Sequence, residues 1–241
     1  MGGEIVSALR KCAEDSSVFA VVLTGAGKYF CTGMDLGQGN QAKLQEELES
    51  GVAAKRSLDM FTALRDFPKP LIVRMNGPAF GGGCGLVFVG DIRIATKGSF
   101  ICFSEVRRGI VPALISAVIV QQMGEFLSMQ YMTTGIRFKV EAMEKKGLLS
   151  ELVDDEATLD LRVAHYCAEL KKCAPGAVQA TKANVRYCAE HLHGDNLRHV
   201  QETFRKFIHS QEAMHGIAAF ARKQDPDWVS YAAASPPQAR L

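Results

Sequence analysis

Short apolar runs alternate with longer amphipathic segments in the first half of the chain. Residues 18–23 are a brief apolar run, which predicts a buried strand, and residues 71–74 and 91–95 predict a second and a third strand. Residues 4–14 place Ile5 and Leu9 on one helical face, and residues 41–65 are polar and periodic, so both segments predict helices. Strands that alternate with helices predict an α/β core.

From position 113 onward the pattern becomes mostly helical. Helical spacing recurs along residues 113–223, and residues 149–153 are the one strand-like interruption. The pattern therefore predicts an α/β core over residues 1–175, a C-terminal α-helical region over 176–230 and a loose tail over 231–241.

Composition narrows the class of protein. The chain has 241 residues, 47% of them hydrophobic, which suits one ordinary globular domain with a helical appendage. A formal net charge of +2 gives no reason to expect a nucleic-acid partner. Seven cysteines without a CxxC pair favour a reducing compartment over a disulfide framework. The longest apolar run, residues 111–120, is too short for a bilayer, so no membrane span is expected.

Three segments that follow predicted strands carry the candidate chemistry: residues 28–36, 76–85 and 103–112. The second contains the run Gly81-Gly82-Gly83, whose backbone can approach a ligand closely because it has no Cβ atoms. Free N–H groups where a helix begins suit an oxyanion or a phosphate. The spacing fits neither a dinucleotide fingerprint nor a Walker loop. A tight strand-to-helix turn without a ligand explains the glycine run equally well.

Glu105 is the candidate acid–base residue of the third segment. It lies two residues after Phe103 in an apolar setting, and burial would raise its pKa and make it a usable proton donor or acceptor. The alternative is an exposed acid paired with Arg107 or Arg108. In the first segment, Gly33 either forms part of a site or makes a plain surface turn.

Together and in this order, the three segments resemble the crotonase superfamily, also called the enoyl-CoA hydratase/isomerase family. The resemblance implies a crotonase-like ββα spiral core followed by C-terminal helices. It also implies that the amides of Met34 and Gly82 form an oxyanion hole for a thioester carbonyl, and that Glu105 is the catalytic carboxylate. Family hydratases usually carry another glutamate at the position of Gly85, and here that carboxylate is absent.

This departure leaves the reaction open. Hydration ordinarily needs one base that holds a water molecule and a proton delivered to carbon, whereas a double-bond shift needs a single carboxylate. The absence of a second carboxylate at Gly85 favours an isomerase, but the surrounding sequence resembles a hydratase branch that also keeps glycine there. The resemblance therefore favours an enoyl-CoA hydratase, with a 3,2-enoyl-CoA isomerase or a non-catalytic acyl-CoA binder as alternatives.

The resemblance also implies how coenzyme A is held, as part of the substrate and not as a permanently bound cofactor. The expected substrate- or CoA-binding residues are Lys28, Thr32, Asp35, Gly81, Phe220 and Lys223. Asp35 also fits a structural role, capping backbone N–H groups in its turn. Lys28 and Lys223 could instead be solvated surface charges, and Phe220 could belong to a helix core. Family C-terminal helices pack between subunits, which implies a homotrimer or a dimer of trimers.

The two ends of the chain add further expectations. Relative to the family, the first strand and the turn that follows it are expected to be missing. Ala239-Arg240-Leu241 is a variant of a peroxisomal Ser-Lys-Leu address, and the alternatives are an ordinary terminus and a mitochondrial or cytoplasmic protein. His191 and His193 form an HxH pair near a helix end, where a helix cap is a better explanation than a metal ligand, so no metal site is expected.

Overall fold

The computed structural model describes residues 1–34, 46, 49–191 and 193–234, without the side chains of 193–195. Asp35, most of residues 36–48 and the terminal residues 235–241, which include Ala239-Arg240-Leu241, lie outside the described residues. The elements, in chain order, are α1 (Gly2–Glu14), β1 (Val21–Thr24), α2 (Val52–Arg65), β2 (Leu71–Met75), β3 (Ala79–Phe80), α3 (Gly82–Phe88), β4 (Ile92–Thr96), β5 (Phe100–Cys102), a 3₁₀ helix (Ser104–Arg108), α4 (Ala113–Thr134), β6 (Phe138–Lys139), α5 (Val140–Lys145), β7 (Glu151–Val153), α6 (Glu156–Lys171), α7 (Pro175–Glu190), α8 (His193–Ile208), α9 (Gln211–Ala221) and α10 (Trp228–Ala234). The α/β fold with C-terminal helices that the sequence predicts is confirmed.

The strands form two sheets. The larger has the order β1-β2-β4-β7, and the smaller has the order β3-β5-β6. In the larger sheet β2 pairs with β4 and β4 with β7, both in parallel, so that Ile72 faces Ile92 and Ile94 faces Glu151. Four of the five residues of β2 are fully or almost fully buried, as expected of a parallel strand covered on both faces.

Contacts divide the chain into two compact units. The first comprises residues 1–9, 22–66 and 71–163, and it contains nearly all of both sheets. Its core includes the fully buried side chains of Leu71, Ile94, Phe103 and Ile119. Arg74 on β2 donates a hydrogen bond of 2.7 Å to Asp160 on α6, and this ion pair connects the strand to the helix.

The second unit comprises residues 10–21, 67–70 and 164–241 and is largely helical in its described part. Its most informative polar contact involves Glu212, which is only 2% exposed. The two carboxylate oxygens of Glu212 accept hydrogen bonds of 2.9 Å each from the amides of Gly176 and Ala177. These amides lie in the first turn of α7 and lack partners within the helix, so Glu212 caps α7 from α9.

The glycine run forms the beginning of a helix. Because α3 begins at Gly82, Gly82 and Gly83 are its first residues and not a loop before it. Gly81 precedes the helix with φ 50° and ψ −124°, a conformation that glycine alone adopts readily, and this residue turns the chain from β3 into α3. None of the described helices combines the length and apolarity that crossing a bilayer requires.

Candidate functional site

The first two glycine-rich segments run side by side in the first unit. Cys31 forms a parallel bridge with Ala79. The amide of Phe30 donates to the carbonyl oxygen of Pro78 at 3.0 Å, and the amide of Phe80 donates to the carbonyl oxygen of Cys31 at 2.9 Å. These bonds fix the register between segments that are about fifty positions apart in the sequence.

Two residues after that bridge, Gly33 lies close to Phe80 and Gly82, and Met34 follows Gly33 directly in the chain. Gly33 makes the approach possible, because a Cβ atom at this position would lie 2.9 Å from the carbonyl oxygen of Phe80 and 3.5 Å from the nitrogen of Gly82. Its φ of 88° is also one that side chains rarely tolerate. Gly33 is therefore part of a close contact between the two segments, and the plain surface turn is the wrong alternative.

Gly82 presents a free donor at this place. As the first residue of α3, its N–H has no acceptor within the helix, and no other described residue accepts it. A Cβ atom built on Gly82 would meet nothing within 4 Å, so open space lies beside its backbone. Met34 is 43% exposed, which leaves this part of the chain accessible.

Glu105 lies against the backbone of the same glycine run. A Cβ atom on Gly81 would be only 3.2 Å from Oε1 of Glu105, so the missing side chain at Gly81 is what admits the carboxylate. The amide of Gly81 donates to the carbonyl oxygen of Cys102 at 3.1 Å, which holds the glycine run next to the end of β5. The 3₁₀ helix that begins two residues later carries Glu105 into place.

The environment of Glu105 is unusual for a glutamate. The side chain is half-buried, and its Oε2 is shielded from solvent without a hydrogen-bond partner among the described residues. Burial raises the pKa of Glu105, and the smaller effects of its own amide and of Arg108 lower it. No ion pair joins Glu105 to Arg107 or Arg108 in the described part of the chain, so the alternative of a paired surface acid is wrong.

Gly85 is enclosed by apolar side chains. A Cβ atom at this position would lie 2.7 Å from the ring of Phe61 and 2.8 Å from a methyl group of Ile115. The space that a second carboxylate would need is therefore filled by α2 and α4. Glu105 remains the one carboxylate that the described residues place against the glycine run.

The remaining residues expected to bind CoA fall into two groups. Lys28 and Thr32 are exposed in the first unit, and Nζ of Lys28 lies 5.6 Å from the ring centroid of Tyr29. Phe220 is 84% exposed at the end of α9 in the second unit, which rules out the helix-core alternative for it. Lys223 is also exposed and has a positive φ of 57° just after that helix.

The sequence reasoning missed a positioning residue, Asn76. This side chain is 8% exposed, and its Oδ1 accepts from the amide of Gly25 at 3.0 Å while its Nδ2 donates to the carbonyl oxygen of Gly27 at 2.9 Å. Asn76 thus holds the loop that leads to Lys28. An amide side chain directly after a buried strand and before a glycine was the available signal.

Comparisons with known proteins identify the family of this chain. A sequence model of the family described as Enoyl-CoA hydratase/isomerase matches residues 1–231. Enoyl-CoA hydratase AFT6-1 of Alternaria alternata is 37% identical over 207 residues, which are 86% of this chain and 67% of that protein. The mitochondrial Delta(3,5)-Delta(2,4)-dienoyl-CoA isomerase of Mus musculus is 25% identical over 95% of this chain and 73% of its own length. The solved structure of an enoyl-CoA hydratase from Shewanella pealeana superposes with a TM-score of 0.85 at 28% identity, covering 94% of this chain and 85% of that one.

Proposed function

This chain belongs to the enoyl-CoA hydratase/isomerase family and is an enzyme of that type, and from this premise we propose which residues perform its chemistry. Glu105 transfers the proton, and the amides of Met34 and Gly82 bind the thioester oxygen of an acyl-CoA. Coenzyme A enters as part of the substrate. Lys28, with Thr32, Asp35 and Gly81, contacts the substrate or its CoA portion.

The observation that carries the proposal is the position of Glu105. Its Oε2 is buried without a partner, and its Oε1 lies against Gly81, one residue before the free amide of Gly82. A buried and unsatisfied carboxylate oxygen costs free energy, and a bound substrate or water molecule would relieve that cost. A raised pKa also suits a group that must take up and return a proton.

The mechanism follows from where negative charge develops. When a proton leaves the carbon next to the thioester, or when water adds to the double bond, charge collects on the thioester oxygen as an enolate. Two fixed amide donors stabilise that oxygen without reorganising, and one such donor typically contributes about 3–4 kcal/mol. Glu105 supplies or accepts the proton on the adjacent carbon.

We favour hydration as the reaction, because the relative with 37% identity is named an enoyl-CoA hydratase. The alternative is a 3,2-enoyl-CoA isomerase. The packing of Gly85 against Phe61 and Ile115 favours it, since a double-bond shift needs only one carboxylate. A non-catalytic acyl-CoA binder is a further alternative.

Turnover assays with the Glu105→Gln variant test the assignment. Hydration of crotonyl-CoA and isomerisation of a 3-enoyl-CoA are measured in parallel, and the faster reaction of the wild type decides between the two activities. The variant is expected to lose about 10²–10⁴-fold in kcat, the usual contribution of a general acid–base group. Glu125→Gln, an exposed acid on α4, is the matched control. Full activity in Glu105→Gln would refute the role of Glu105, and binding of acyl-CoA without any turnover in the wild type would favour the non-catalytic alternative.

We also propose a homotrimer, or a dimer of trimers, built through the C-terminal helices. Supporting this, α8 and α9 expose a row of large apolar side chains at helical spacing. Leu197 is 59% exposed, Phe204 67%, Ile217 55% and Phe220 84%. In such an assembly Phe220 and Lys223 reach CoA bound by a neighbouring subunit. Phe204→Glu is expected to shift sedimentation towards the monomer, and a wild type that sediments as a monomer would contradict the proposal.

Fatty-acid β-oxidation in a peroxisome-like organelle is the setting we propose, on the strength of Ala239-Arg240-Leu241. A fluorescent fusion that ends in Ala239-Arg240-Leu241 is expected to collect in that organelle. A fusion without the last three residues is expected to remain diffuse. The same distribution for both fusions would contradict the assignment.

A further inference from the structure

Arginines from two separate elements converge on an open cleft beside Phe80. The cleft has a volume of about 400 Å³. Arg107 and Arg108 line it from the 3₁₀ helix, Arg137 lines it from the segment just before β6, and Ser104 adds a hydroxyl group. We propose that this cleft is a binding site for a phosphate-bearing anion.

The three guanidinium groups have no acidic partner in the described part of the chain. Among the described residues, no carboxylate lies within 4.0 Å of Arg107, Arg108 or Arg137. Their electrostatic fields overlap at Cys102, which also lines the cleft: each of the three lowers the pKa of its thiol, against the larger raising effect of burial. The carboxylate of Glu105 opposes them there by raising the pKa of the thiol. The cleft is therefore electropositive.

Contacts hold each arginine in position before any ligand arrives. Arg107 packs on the backbone of Gly135, where a Cβ atom would lie 3.1 Å from its Nε. The guanidinium carbon of Arg137 lies 4.5 Å from the ring centroid of Phe100. Nη1 of Arg108 donates to the carbonyl oxygen of Ser104 at 3.1 Å. Side chains that are already ordered lose less conformational entropy when they bind, which favours affinity.

The charge and shape of these groups point to phosphate over carboxylate. Guanidinium groups bind both anions through paired N–H donors. A single carboxylate would neutralise one of the three cations, whereas a phosphate monoester or a diphosphate carries more charge and more acceptor oxygens. The cleft volume is that of a small-ligand pocket, so it has room for a phosphate with a small organic group attached. The phosphates of CoA and those of a separate phosphorylated metabolite share this chemistry.

Calorimetry with pyrophosphate tests the site on the full chain. The Arg107→Gln/Arg137→Gln double variant is expected to bind pyrophosphate at least about tenfold more weakly than the wild type, since the loss of even one charge-assisted hydrogen bond weakens binding by about this factor. Arg137→Lys keeps the charge but loses the paired donors, and an intermediate loss is expected. Arg10→Gln, an exposed arginine on α1, is the matched control and should bind as the wild type does. Circular dichroism confirms that each variant is folded.

Competition experiments with CoA identify the source of the phosphate. If saturating CoA blocks pyrophosphate, the cleft holds the phosphates of CoA. If pyrophosphate binds unchanged in its presence, the cleft takes a separate metabolite. Equal affinity in the double variant and in Arg10→Gln, or no binding to the wild type, would overturn the site. The outcome is independent of the proposed catalytic role, because Glu105→Gln should abolish turnover without weakening pyrophosphate binding.

Discussion

Replacing Gly82 by proline would remove one proposed oxyanion donor while leaving the fold intact. Proline is well tolerated at the first position of a helix, where the N–H has no intrahelical partner in any case. The φ and ψ of Gly81, 50° and −124°, are the mirror image of the extended conformation that a residue before proline prefers, and glycine adopts both forms equally. A Cβ atom at position 82 meets nothing within 4 Å. We therefore expect the free energy of unfolding to change by less than about 1 kcal/mol.

The expected loss of activity is much larger than the loss of stability. A single backbone donor to a developing oxyanion contributes about 3–4 kcal/mol, which corresponds to a decrease of about 10²–10³ in kcat. Gly82→Ala is the matched control, because it adds a Cβ atom at the same place and keeps the N–H. The ratio of kcat between the alanine and proline variants thus removes the effect of the Cβ atom. Because the Cδ atom of proline takes the place of the N–H, a backbone ester at Gly82, which deletes the N–H without adding this ring, completes the comparison.

The assay follows turnover of an enoyl-CoA by the wild type and both variants, with thermal unfolding of each protein to confirm its fold. We expect the proline variant to be folded and at least a hundredfold slower than the alanine variant, in line with the magnitude of one donor. A folded proline variant that turns over within about threefold of the alanine variant would refute the role of the Gly82 amide. If the proline variant unfolds, the protein with a backbone ester at Gly82 replaces it in the comparison with the alanine variant. Full activity of the ester-containing protein would likewise refute the role of the Gly82 amide.

Other predictions concern the half-buried Glu105, the buried Glu212 and the turn before α3. Because burial raises the pKa of Glu105, kcat/KM is expected to rise with pH through an apparent pKa above 4.5, and a pH–rate profile that is flat across this region would contradict the role of a base. Because the pKa of Glu105 is raised in the fold, the free energy of unfolding should fall as the pH increases from 4.5 through the folded pKa. Urea titrations below and above this range should show the decrease in the wild type and not in Glu105→Gln. Gly81→Ala should cost about 1–3 kcal/mol of stability through its backbone conformation, and it should slow turnover by pushing against Oε1 of Glu105; wild-type kinetics would count against that contact. Glu212→Ala leaves two amides of α7 without their buried acceptor and should lower the free energy of unfolding by about 1–3 kcal/mol, whereas Glu202→Ala, an exposed acid on α8, should change it little; equal effects of the two substitutions would exclude the capping role.

The sequence by itself predicted the class of fold, because strand-length apolar runs and helical periodicity are local signals. It also located the candidate anion site, because glycines between a predicted strand and a predicted helix are enough to predict free N–H groups where the helix begins. The resemblance then supplied the role of Glu105. Local spacing alone did not decide these roles. It left Gly33 open to a plain surface turn and Glu105 open to pairing with a surface arginine.

Tertiary structure decided which of these alternatives held, because the deciding contacts join residues far apart in the chain. Gly33 meets Gly82 only through the bridge between Cys31 and Ala79, and burial of Glu105 depends on the missing side chain at Gly81. No local pattern encodes such contacts.

The same reason explains what the sequence could not reveal at all. Phe61 and Ile115 come from separate helices to fill the space beside Gly85, and Arg107 and Arg137 come from separate elements to line one cleft. A one-dimensional pattern determines which face of an element is apolar. Which charges and rings meet across elements is decided when the chain packs, since burial and electrostatic fields depend on distance in space.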